Sequence, residues 1–497
     1  MENIASKILE KRSCIAKIIA LVLLFFGVNI YLSYATDTYL TFTAGFHGSA
    51  IGSGIDMATR NGRPVIGLIY ELHYLTGLSN VSFYYISSAL ALVFLCASIW
   101  IYQGILEKYE IKENIRVVLA FAAIANAFII EYFMFIEKCG FTLAILFDVL
   151  AVYWIERFFT SHRKSYYVFA VIAMVLAIFT YQGTIALFAI LSIPFAMKQA
   201  KDFKHYILNG IMLGIAYIVP VIIDLLAFKF IFKSSRISEK TDYIATLKTV
   251  IMGIIYNGEE TFNILPKYLF LIVAFIIFVA LIVDAVVSQK RAWRIFNAFI
   301  IILASCLLST ATILQGSGWW ATRTVYPIAS IAAVLAIDIF VNRDEIDSNK
   351  LIRKIIGVFS VSAIAVLLLF QYFSFNQIYI DKYKVNALDQ YRYQYIYQTI
   401  YDYQEATGKE ITKIAVYSDA ERSWSQYSDL YCTGDLVVSA FTTDWSDVTA
   451  LNYYMQTSYE KISPVEEYTE YFSKKNWNHL SSDQFIFDGD TLHLCVY

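Results

Sequence analysis

The stretch Lys267–Val287, KYLFLIVAFIIFVALIVDAVV, carries only one charged residue, Asp284, after its first position. A helix needs roughly 20 apolar residues to cross a hydrocarbon core about 30 Å thick, and this stretch supplies them. A soluble domain could not hide a series of runs of this length. The stretch therefore predicts a membrane-spanning helix.

Similar runs recur along the chain, so the sequence predicts about eleven spans. The other ten lie near Cys14–Tyr34, Val81–Leu106, Arg116–Ile136, Gly140–Phe159, Tyr166–Tyr181, Gln182–Met197, Tyr206–Phe228, Ile295–Leu314, Val325–Val341 and Ile355–Phe373. Charged residues make up 16% of the chain and hydrophobic residues 58%, whereas soluble domains carry roughly 25% charged residues. The predicted fold class is an all-α polytopic membrane protein.

Charge and motifs exclude several function classes. The formal net charge is -2, which gives no electrostatic footprint for nucleic acid. The sequence contains no P-loop, HExxH or GxSxG motif. No residue pattern requires a cofactor, although a divalent cation is compatible with the chain. The DxD-like triplet Asp488-Gly489-Asp490 is better interpreted as a turn than as a metal site.

The distribution of Lys and Arg predicts the orientation. With the N-terminus inside, every predicted inner loop carries at least three basic residues. The first span is expected to remain as an anchor, because its run is long and lacks a small-x-small cleavage site near its end. The sequence thus predicts a multi-pass protein of the bacterial plasma membrane, with a cytoplasmic N-terminus and an extracytoplasmic C-terminus.

The segment Pro64–Leu78 is apolar but contains Glu71 and His73. If it crossed the membrane, every later basic loop would lie outside, against the distribution rule. We therefore predict an amphipathic helix on the outer membrane surface. Its apolar side follows helical spacing and comprises Val65, Leu68, Ile69, Leu72 and Leu75.

The composition changes sharply after the last span. Residues 375–497 hold 18 acidic and 9 basic residues. We predict a membrane domain over residues 1–374, with 35–80 forming its first outer loop and surface helix, and a small extracytoplasmic α/β domain over 375–497. Its predicted elements are a helix over Val385–Glu405 ended by Gly408, a strand over Ile411–Ser418, and a hairpin of Gln484–Phe487 and Thr491–Tyr497.

The first outer loop, Ala35–Arg63, is polar, rich in glycine, and carries two carboxylates. Asp37 follows the predicted first span by about one turn, where the helix dipole opposes a carboxylate by a few tenths of a kcal/mol. Asp37 is either a solvated boundary residue or a general base that takes a proton from an incoming hydroxyl. Asp56 is an alternative for that catalytic role, or it positions an arginine.

The loop ends in Arg60-Asn61-Gly62-Arg63-Pro64. Because Pro is favoured at the first helical position, Arg63 is predicted to lie at the mouth of the surface helix. Two guanidinium groups beside the free N–H groups of a helix start can bind an anion such as phosphate. Contact with lipid headgroups would explain the same residues. Arg323, in a short outer loop, is a further phosphate candidate.

Other polar and aromatic residues are predicted to meet at the outer face. They either line a substrate cleft or form interfacial caps and the aromatic belt. These residues are Glu131, Glu137, Lys138, Trp319, Trp320 and Tyr326.

Four stretches are similar to a known family: Ala35-Thr36-Asp37-Thr38-Tyr39, Asn61-Gly62-Arg63-Pro64, Phe133–Leu143 and Phe179–Gly183. Over roughly residues 15–375 the chain resembles the GtrII-type glucosyltransferases, the serotype-converting enzymes of bacteria and their phages. Where that family shows two acids near the end of the first span, this chain has Thr36-Asp37. That departure leaves Asp37 as the matching carboxylate and puts in doubt any mechanism that needs two adjacent acids.

The resemblance implies a C-type glycosyltransferase (GT-C) fold and a polyprenyl-phosphate-linked sugar donor, with glucose as the expected hexose. It implies transfer to a cell-envelope glycan, an O-antigen or wall glycan, on the outer side. The expected partners are thus the lipid donor, the glycan acceptor and membrane lipids, and not nucleic acid. Asp37 would act as the base of an inverting displacement, while Arg60, Arg63 or Arg323 would hold the departing phosphate.

Two other classes stay open. A polysaccharide polymerase or ligase using lipid-linked oligosaccharides would need a larger outer cleft, which the loop Lys229–Lys267 could provide. A transporter or flippase would need polar groups at the membrane midplane, where Asp148 and Asp224 are the candidates.

Overall fold

The computed structural model describes residues 11–48, 52–232, 243–288, 290–310, 320–343, 350–420, 430, 436–477 and 480–496. Trp319, one of the predicted cleft residues, lies outside these ranges, as do residues 233–242 of the loop Lys229–Lys267. The protein is mostly helical, with several long apolar helices and a small C-terminal sheet. The predicted mostly helical, polytopic class is confirmed at this level.

The α-helices of the described residues are numbered in chain order. They are α1 (Arg12–Phe26), α2 (Thr36–Ala44), α3 (Gly54–Arg60), α4 (Pro64–Thr76), α5 (Asn80–Glu107), α6 (Glu113–Ile124), α7 (Lys138–Ser161), α8 (Lys164–Thr180), α9 (Ala186–Lys198), α10 (Phe203–Ala227), α11 (Tyr243–Glu260), α12 (Leu269–Val286), α13 (Arg291–Ser309), α14 (Ile331–Val341), α15 (Lys350–Thr407), α16 (Asp447–Met455) and α17 (Glu466–Phe472).

Seven helical segments of the described chain are long and apolar enough to cross a membrane. An eighth is added if α6 and the 3₁₀-helix Ala127–Met134, which meet at a 57° bend, count as one span. Three further apolar helices are shorter, Lys164–Thr180, Gln182–Lys198 and Tyr326–Val341. Each predicted run coincides with one of these segments, but eleven crossings stay a prediction because the short helices do not reach full length.

The bend after α6 is stabilised by side-chain hydrogen bonds. The Asn126 amide donates to the Tyr326 carbonyl oxygen at 3.2 Å and to the Ser330 hydroxyl at 2.9 Å. The Gln371 amide donates to the Ala125 carbonyl oxygen at 2.6 Å. A helix can break within an apolar bundle when neighbouring helices satisfy the freed backbone groups in this way.

The first span differs from the prediction, which extended it to Tyr34. Helix α1 ends at Phe26, and a 3₁₀-helix, Gly27–Ile30, follows it. Gly27 is a poor helix former, and the buried Asn29 accepts a hydrogen bond from Lys138 rather than facing lipid. A separate helix, α2, then begins at Thr36.

Helix α4 begins at Pro64, as the sequence predicts, and ends before Gly77, whose φ of 66° is left-handed. Ile66, Tyr70 and His73 are buried, whereas Leu68, Leu72 and Leu75 are exposed. The helix therefore has apolar residues on two sides, one packed against the protein and one uncovered. Its position on a membrane surface stays a prediction.

The chain divides into two compact units. Unit 1 comprises the described residues within Met1–Ile30, Met57–Phe133 and Glu137–Asn376, and unit 2 those within Tyr31–Asp56, Met134–Ile136 and Gln377–Tyr497. Nothing in the sequence indicated that Tyr31–Asp56 groups with the C-terminal part. The predicted domains over 1–374 and 375–497 stay a prediction.

Helix α15 is 58 residues long and is continuous. Its sequence predicts two separate helices, Ile355–Phe373 and Val385–Glu405. No Gly or Pro lies between them, so nothing in the chain interrupts the backbone hydrogen bonds. The helix ends at Thr407, before Gly408 with φ 70°, as predicted.

Unit 2 contains a four-stranded sheet in the order β2-β1-β4-β3. Its strands are β1 (Lys413–Tyr417), β2 (Glu460–Ile462), β3 (Phe485–Asp488) and β4 (Thr491–Cys495). The predicted hairpin is confirmed, since β3 and β4 pair antiparallel across Gly489. The sequence did not indicate β2, or that β1 pairs parallel to both β2 and β4.

Candidate functional site

Asp37 lies in unit 2 and is half-buried. It occupies the first turn of α2, so it stands at the N-terminal end of a helix and not beyond a C-terminal end as predicted. The helix dipole therefore stabilises this carboxylate, and the unfavourable dipole assumed for it is wrong. The Trp445 indole N–H donates to Asp37 Oδ1 at 2.9 Å, which fixes the carboxylate to the C-terminal part of the chain.

Asp56, also in unit 2, lies in the first turn of α3 and not in a loop as predicted. Its Oδ2 accepts the Gly52 backbone N–H at 3.0 Å, and its own N–H donates to the Ser53 hydroxyl at 3.2 Å. The Ser53 hydroxyl donates to the Gly48 carbonyl oxygen at 2.8 Å. Gly52 has a φ of 87°, which a side chain would strain. Asp56 thus helps to close this turn.

Arg63 lies in unit 1, directly before Pro64, at the start of α4. Its guanidinium stands 4.6 Å from the centre of the Tyr181 ring, and its Nε is 3.5 Å from Gln182 Oε1. Arg60 is exposed in the last turn of α3. The predicted arrangement of a cation at the mouth of a helix start is therefore present at Arg63.

Gln182 is a residue that the sequence analysis did not assign to the site. Its amide donates to the carbonyl oxygens of Asn61 and Gly62 at 3.2 and 3.1 Å, so it pins the turn that carries Arg63. It also lies beside the buried Asp224. One sequence signal could have revealed it, since Gln182 is a polar residue between two apolar runs. A polar side chain inside a membrane is costly, so it usually has a structural or functional role.

The same short helix, Gln182–Thr184, also contacts the Arg323 loop. A Cβ on Gly183 would lie 2.4 Å from the Arg323 carbonyl oxygen, so only glycine allows this close approach. The Tyr132 hydroxyl donates to that same oxygen at 2.9 Å. Arg63 thus lies beside Gln182, and the Arg323 backbone lies beside the next residue, Gly183, within unit 1.

Glu131 is buried in unit 1 and binds the Arg323 loop. Its carboxylate accepts the Arg323 backbone N–H at 2.7 Å, the Thr322 hydroxyl, and the Arg323 guanidinium in an ion pair. Arg323 was predicted as a candidate to bind phosphate, and Glu131 supplies an anionic partner for it within the chain.

Glu137 and Lys138 differ in their exposure. Glu137 is half-buried and hydrogen bonds to the Tyr70 hydroxyl of α4. Burial raises the pKa of Tyr70, and the Glu137 carboxylate raises that pKa further, so Tyr70 stays protonated. Lys138 is fully buried, with its Nζ 3.3 Å from Asn29 Oδ1 and 3.8 Å from the centre of the Tyr84 ring. The side chain of Lys138 is therefore enclosed by protein.

The aromatic candidates are packed within unit 1. Tyr326 is fully buried, and its hydroxyl donates to the Ile124 carbonyl oxygen. Trp320 is half-buried, and a Cβ on Gly253 would lie 2.3 Å from its indole ring. Both rings contribute to packing between helices in the described structure, and their role in a substrate cleft stays a prediction.

The candidates fall into two groups. The carboxylates Asp37 and Asp56 belong to unit 2, and the predicted cations Arg60, Arg63 and Arg323 to unit 1. In the described part of the chain, no three His, Cys, Asp or Glu side chains form a group that could hold a metal ion.

Comparison with models of protein families and with curated proteins gives no match for the chain.

Proposed function

We propose that this protein is a membrane glycosyltransferase that moves a hexose, with glucose as the expected sugar, from a polyprenyl-phosphate-linked donor to a cell-envelope glycan. The proposal includes a GT-C fold with eleven spans in the bacterial plasma membrane and an extracytoplasmic site. The observation that supports it best is the position of Asp37. Its carboxylate is half-buried in the first turn of α2, and the Trp445 indole N–H orients it, as suits a general base.

In the proposed reaction Asp37 removes the proton from an acceptor hydroxyl. The acceptor oxygen forms a bond to the anomeric carbon as the bond from that carbon to the phosphate oxygen breaks. The polyprenyl phosphate leaves with the electron pair, and the configuration inverts. Phosphate is a good leaving group, so one carboxylate suffices and no second acid is needed.

Helix α4 suits a lipid phosphate within unit 1. Its first residue follows Arg63, whose guanidinium can pair with the phosphate. Its exposed residues Leu68, Leu72 and Leu75 form an apolar strip along the same helix, where a polyprenyl chain could lie. Arg60 is the second cation for the phosphate. Arg323 contributes less, because Glu131 already neutralises its charge.

A transporter is the second candidate, and one observation favours it. The buried carboxylates Asp148 and Asp224 lie beside Thr184 and Gln182, the two ends of one short helix between α8 and α9. Buried carboxylates in apolar helices next to a helix break are typical of ion or substrate pathways.

The test is the monosaccharide composition of the envelope polysaccharides in a strain that lacks the gene. The strain is complemented with the wild type, with Asp37→Asn, or with Asp148→Asn, each at equal membrane abundance. We expect one side-branch hexose to disappear in the deletion strain and to return with the wild type and Asp148→Asn, but not with Asp37→Asn.

Other results would overturn parts of the proposal. If Asp37→Asn restores the hexose fully, the base is another residue and Asp56 or Glu137 becomes the candidate. If only chain length or attachment of the polysaccharide changes, the protein is a polymerase or ligase. If Asp148→Asn alone fails, the transporter replaces the transferase.

A further inference from the structure

Trp445 is a large aromatic residue that stays exposed beside the proposed base. Its side chain is 49% exposed in unit 2, while its indole N–H donates to Asp37 Oδ1 at 2.9 Å. One edge of the ring is therefore occupied by Asp37, while about half of the residue's surface stays accessible to solvent. A single exposed aromatic residue is common, so its role depends on how it is held.

The loop that carries Trp445 is fixed on its N-terminal side. The buried Asp389 of α15 accepts the Ser439 hydroxyl at 2.7 Å and the Ala440 backbone N–H at 2.8 Å. The Ser446 hydroxyl, directly after Trp445, donates to the Ala440 carbonyl oxygen at 2.6 Å. Together these bonds close the loop over Ser439–Ser446.

The C-terminal side of the loop is fixed as well. Lys461 Nζ donates to the Asp444 carbonyl oxygen at 2.5 Å and to Asp447 Oδ2 at 2.6 Å. Asp447 is buried and begins α16. The backbone is therefore bound on both sides of an exposed Trp445, as expected of a preorganised binding residue.

Helix α2, which carries Asp37, packs against α16 in the same unit. The hydroxyls of Tyr39 and Tyr454 lie 2.9 Å apart, and the two rings are 5.6 Å apart. Tyr453 also contacts Tyr34 and Phe42 on the α2 side. These contacts fix the position of Asp37 relative to Trp445.

An exposed indole face beside a carboxylate suits a pyranose ring. The C–H face of a sugar is apolar and gains free energy when it covers an aromatic face. The hydroxyls at the edge of the same ring are donors that a carboxylate accepts. The two groups of this site thus match the two kinds of surface on one sugar.

We propose that Trp445 forms the acceptor subsite of the transferase: its indole face binds a pyranose of the acceptor glycan, and its N–H orients Asp37 towards a hydroxyl of that ring. This inference rests on the proposed function, because it assigns a substrate to the same carboxylate. It also gives the C-terminal tail a direct part in acceptor binding.

A membrane surface is the competing partner for an exposed Trp, and charge argues against it. Asp444 is exposed next to Trp445, and residues 375–497 carry 18 acidic against 9 basic residues. Anionic headgroups attract basic segments and repel acidic ones. A glycan is therefore favoured over a bilayer at this loop.

The experiment uses the purified full-length protein in nanodiscs, with polysaccharide from the deletion strain as acceptor and polyprenyl-phosphate glucose as donor. Binding of the polysaccharide is measured without donor, and kcat and KM are measured with it. The variants are Trp445→Ala, Trp445→Phe and Asp37→Asn, and the control is Tyr401→Ala. Tyr401 is a suitable control because it is 47% exposed in the same unit.

We expect Trp445→Ala to weaken polysaccharide binding and to raise the acceptor KM about tenfold, with the donor KM unchanged. Trp445→Phe keeps a ring face and should lose about twofold to threefold. Asp37→Asn keeps an acceptor oxygen for the sugar hydroxyl, so it should still bind the polysaccharide but fail to transfer it. Tyr401→Ala should match the wild type.

The inference is overturned if Trp445→Ala binds polysaccharide like the wild type, or if it changes both KM values alike. It is also overturned if Trp445→Ala and Trp445→Phe only lower thermal stability or weaken association with anionic lipid. If the wild type transfers nothing but binds polysaccharide through Trp445, the glycan subsite stands and the proposed reaction fails.

Discussion

Asp37 and Glu131 are both acids that the sequence places near the outer ends of predicted spans, yet the protein surrounds them differently. Glu131 is buried in unit 1 and is bound by Thr322 and by the backbone and side chain of Arg323. Asp37 is half-buried in unit 2 and is oriented by an exposed Trp445. The difference teaches that two acids in similar sequence positions can have different surroundings. Burial and hydrogen-bond donors separate Glu131, which binds a loop, from Asp37, which we propose as the base.

Asp37→Asn should give the largest effect on chemistry. Asn can still accept the Trp445 indole N–H, so the loop stays in place while the base is lost. We expect the transfer rate to fall roughly 10²–10⁴-fold, the usual contribution of a general base. Transfer is measured with membranes of equal protein content, and thermal unfolding should be unchanged. Asp444→Asn, at an exposed neighbouring acid, is the control and should retain full activity.

Glu131→Ala should instead affect stability. It leaves the Arg323 guanidinium without its carboxylate partner in a largely buried position, and breaking a buried ion pair costs about 3–5 kcal/mol. We expect lower abundance in the membrane and a lower unfolding temperature, with activity lost in proportion.

Glu113→Gln is the matched control for Glu131→Ala. Glu113 pairs with Lys17 at 2.5 Å, but both side chains are about a third or more exposed, and such surface pairs contribute about 0–1 kcal/mol. If Glu131→Ala folds like Glu113→Gln yet loses transfer, Glu131 belongs to the chemistry and the contrast with Asp37 is wrong.

Arg63→Lys tests the cation of unit 1 with a smaller expected effect. Lysine keeps the charge but loses the planar group that lies over Tyr181 and the forked contact with a phosphate. We expect the donor KM to rise about tenfold with the acceptor KM unchanged. Arg157→Lys is the control, because Arg157 also stacks on a tyrosine, with its guanidinium 4.7 Å from the Tyr153 ring centre. An equal rise in donor KM for both variants would show that Arg63 acts through packing.

These contrasts also show what the sequence could predict. The apolar runs act locally, as do Pro64, Gly408 and the Asp488-Gly489-Asp490 turn. The helix boundaries at Pro64 and Gly408 and the C-terminal hairpin were therefore predictable. The end of α1 was not, because the side-chain oxygen of Asn29 accepts its hydrogen bond from Lys138, which is distant in the chain.

The candidate site followed the same division between local and distant causes. The position of Arg63 before a helix-starting proline is local and was predicted. The partners Trp445 of Asp37, Gln182 of the Arg63 turn and Arg323 of Glu131 are more than one hundred residues away in the sequence. No periodicity or spacing records such pairings, so the sequence alone could not separate the acid proposed as a base from the acid that binds a loop.

The smallest effect concerns pH and separates stability from chemistry. Burial lowers the pKa of His73, on the packed side of α4 in unit 1. The unfolded chain takes up this proton near pH 6.5, whereas folded His73 takes it up only at lower pH. The unfolded state therefore binds more protons in that window, and the free energy of unfolding falls as the pH drops below about 6.5.

We expect the unfolding temperature to fall modestly between pH 7 and pH 5 in the wild type and to fall less in His73→Gln. His162→Asn, at an exposed position after α7, should keep the wild-type pH dependence. An identical pH profile for His73→Gln and the wild type would mean that water reaches His73 in the folded protein. The side of α4 that carries His73 would then not be closely packed.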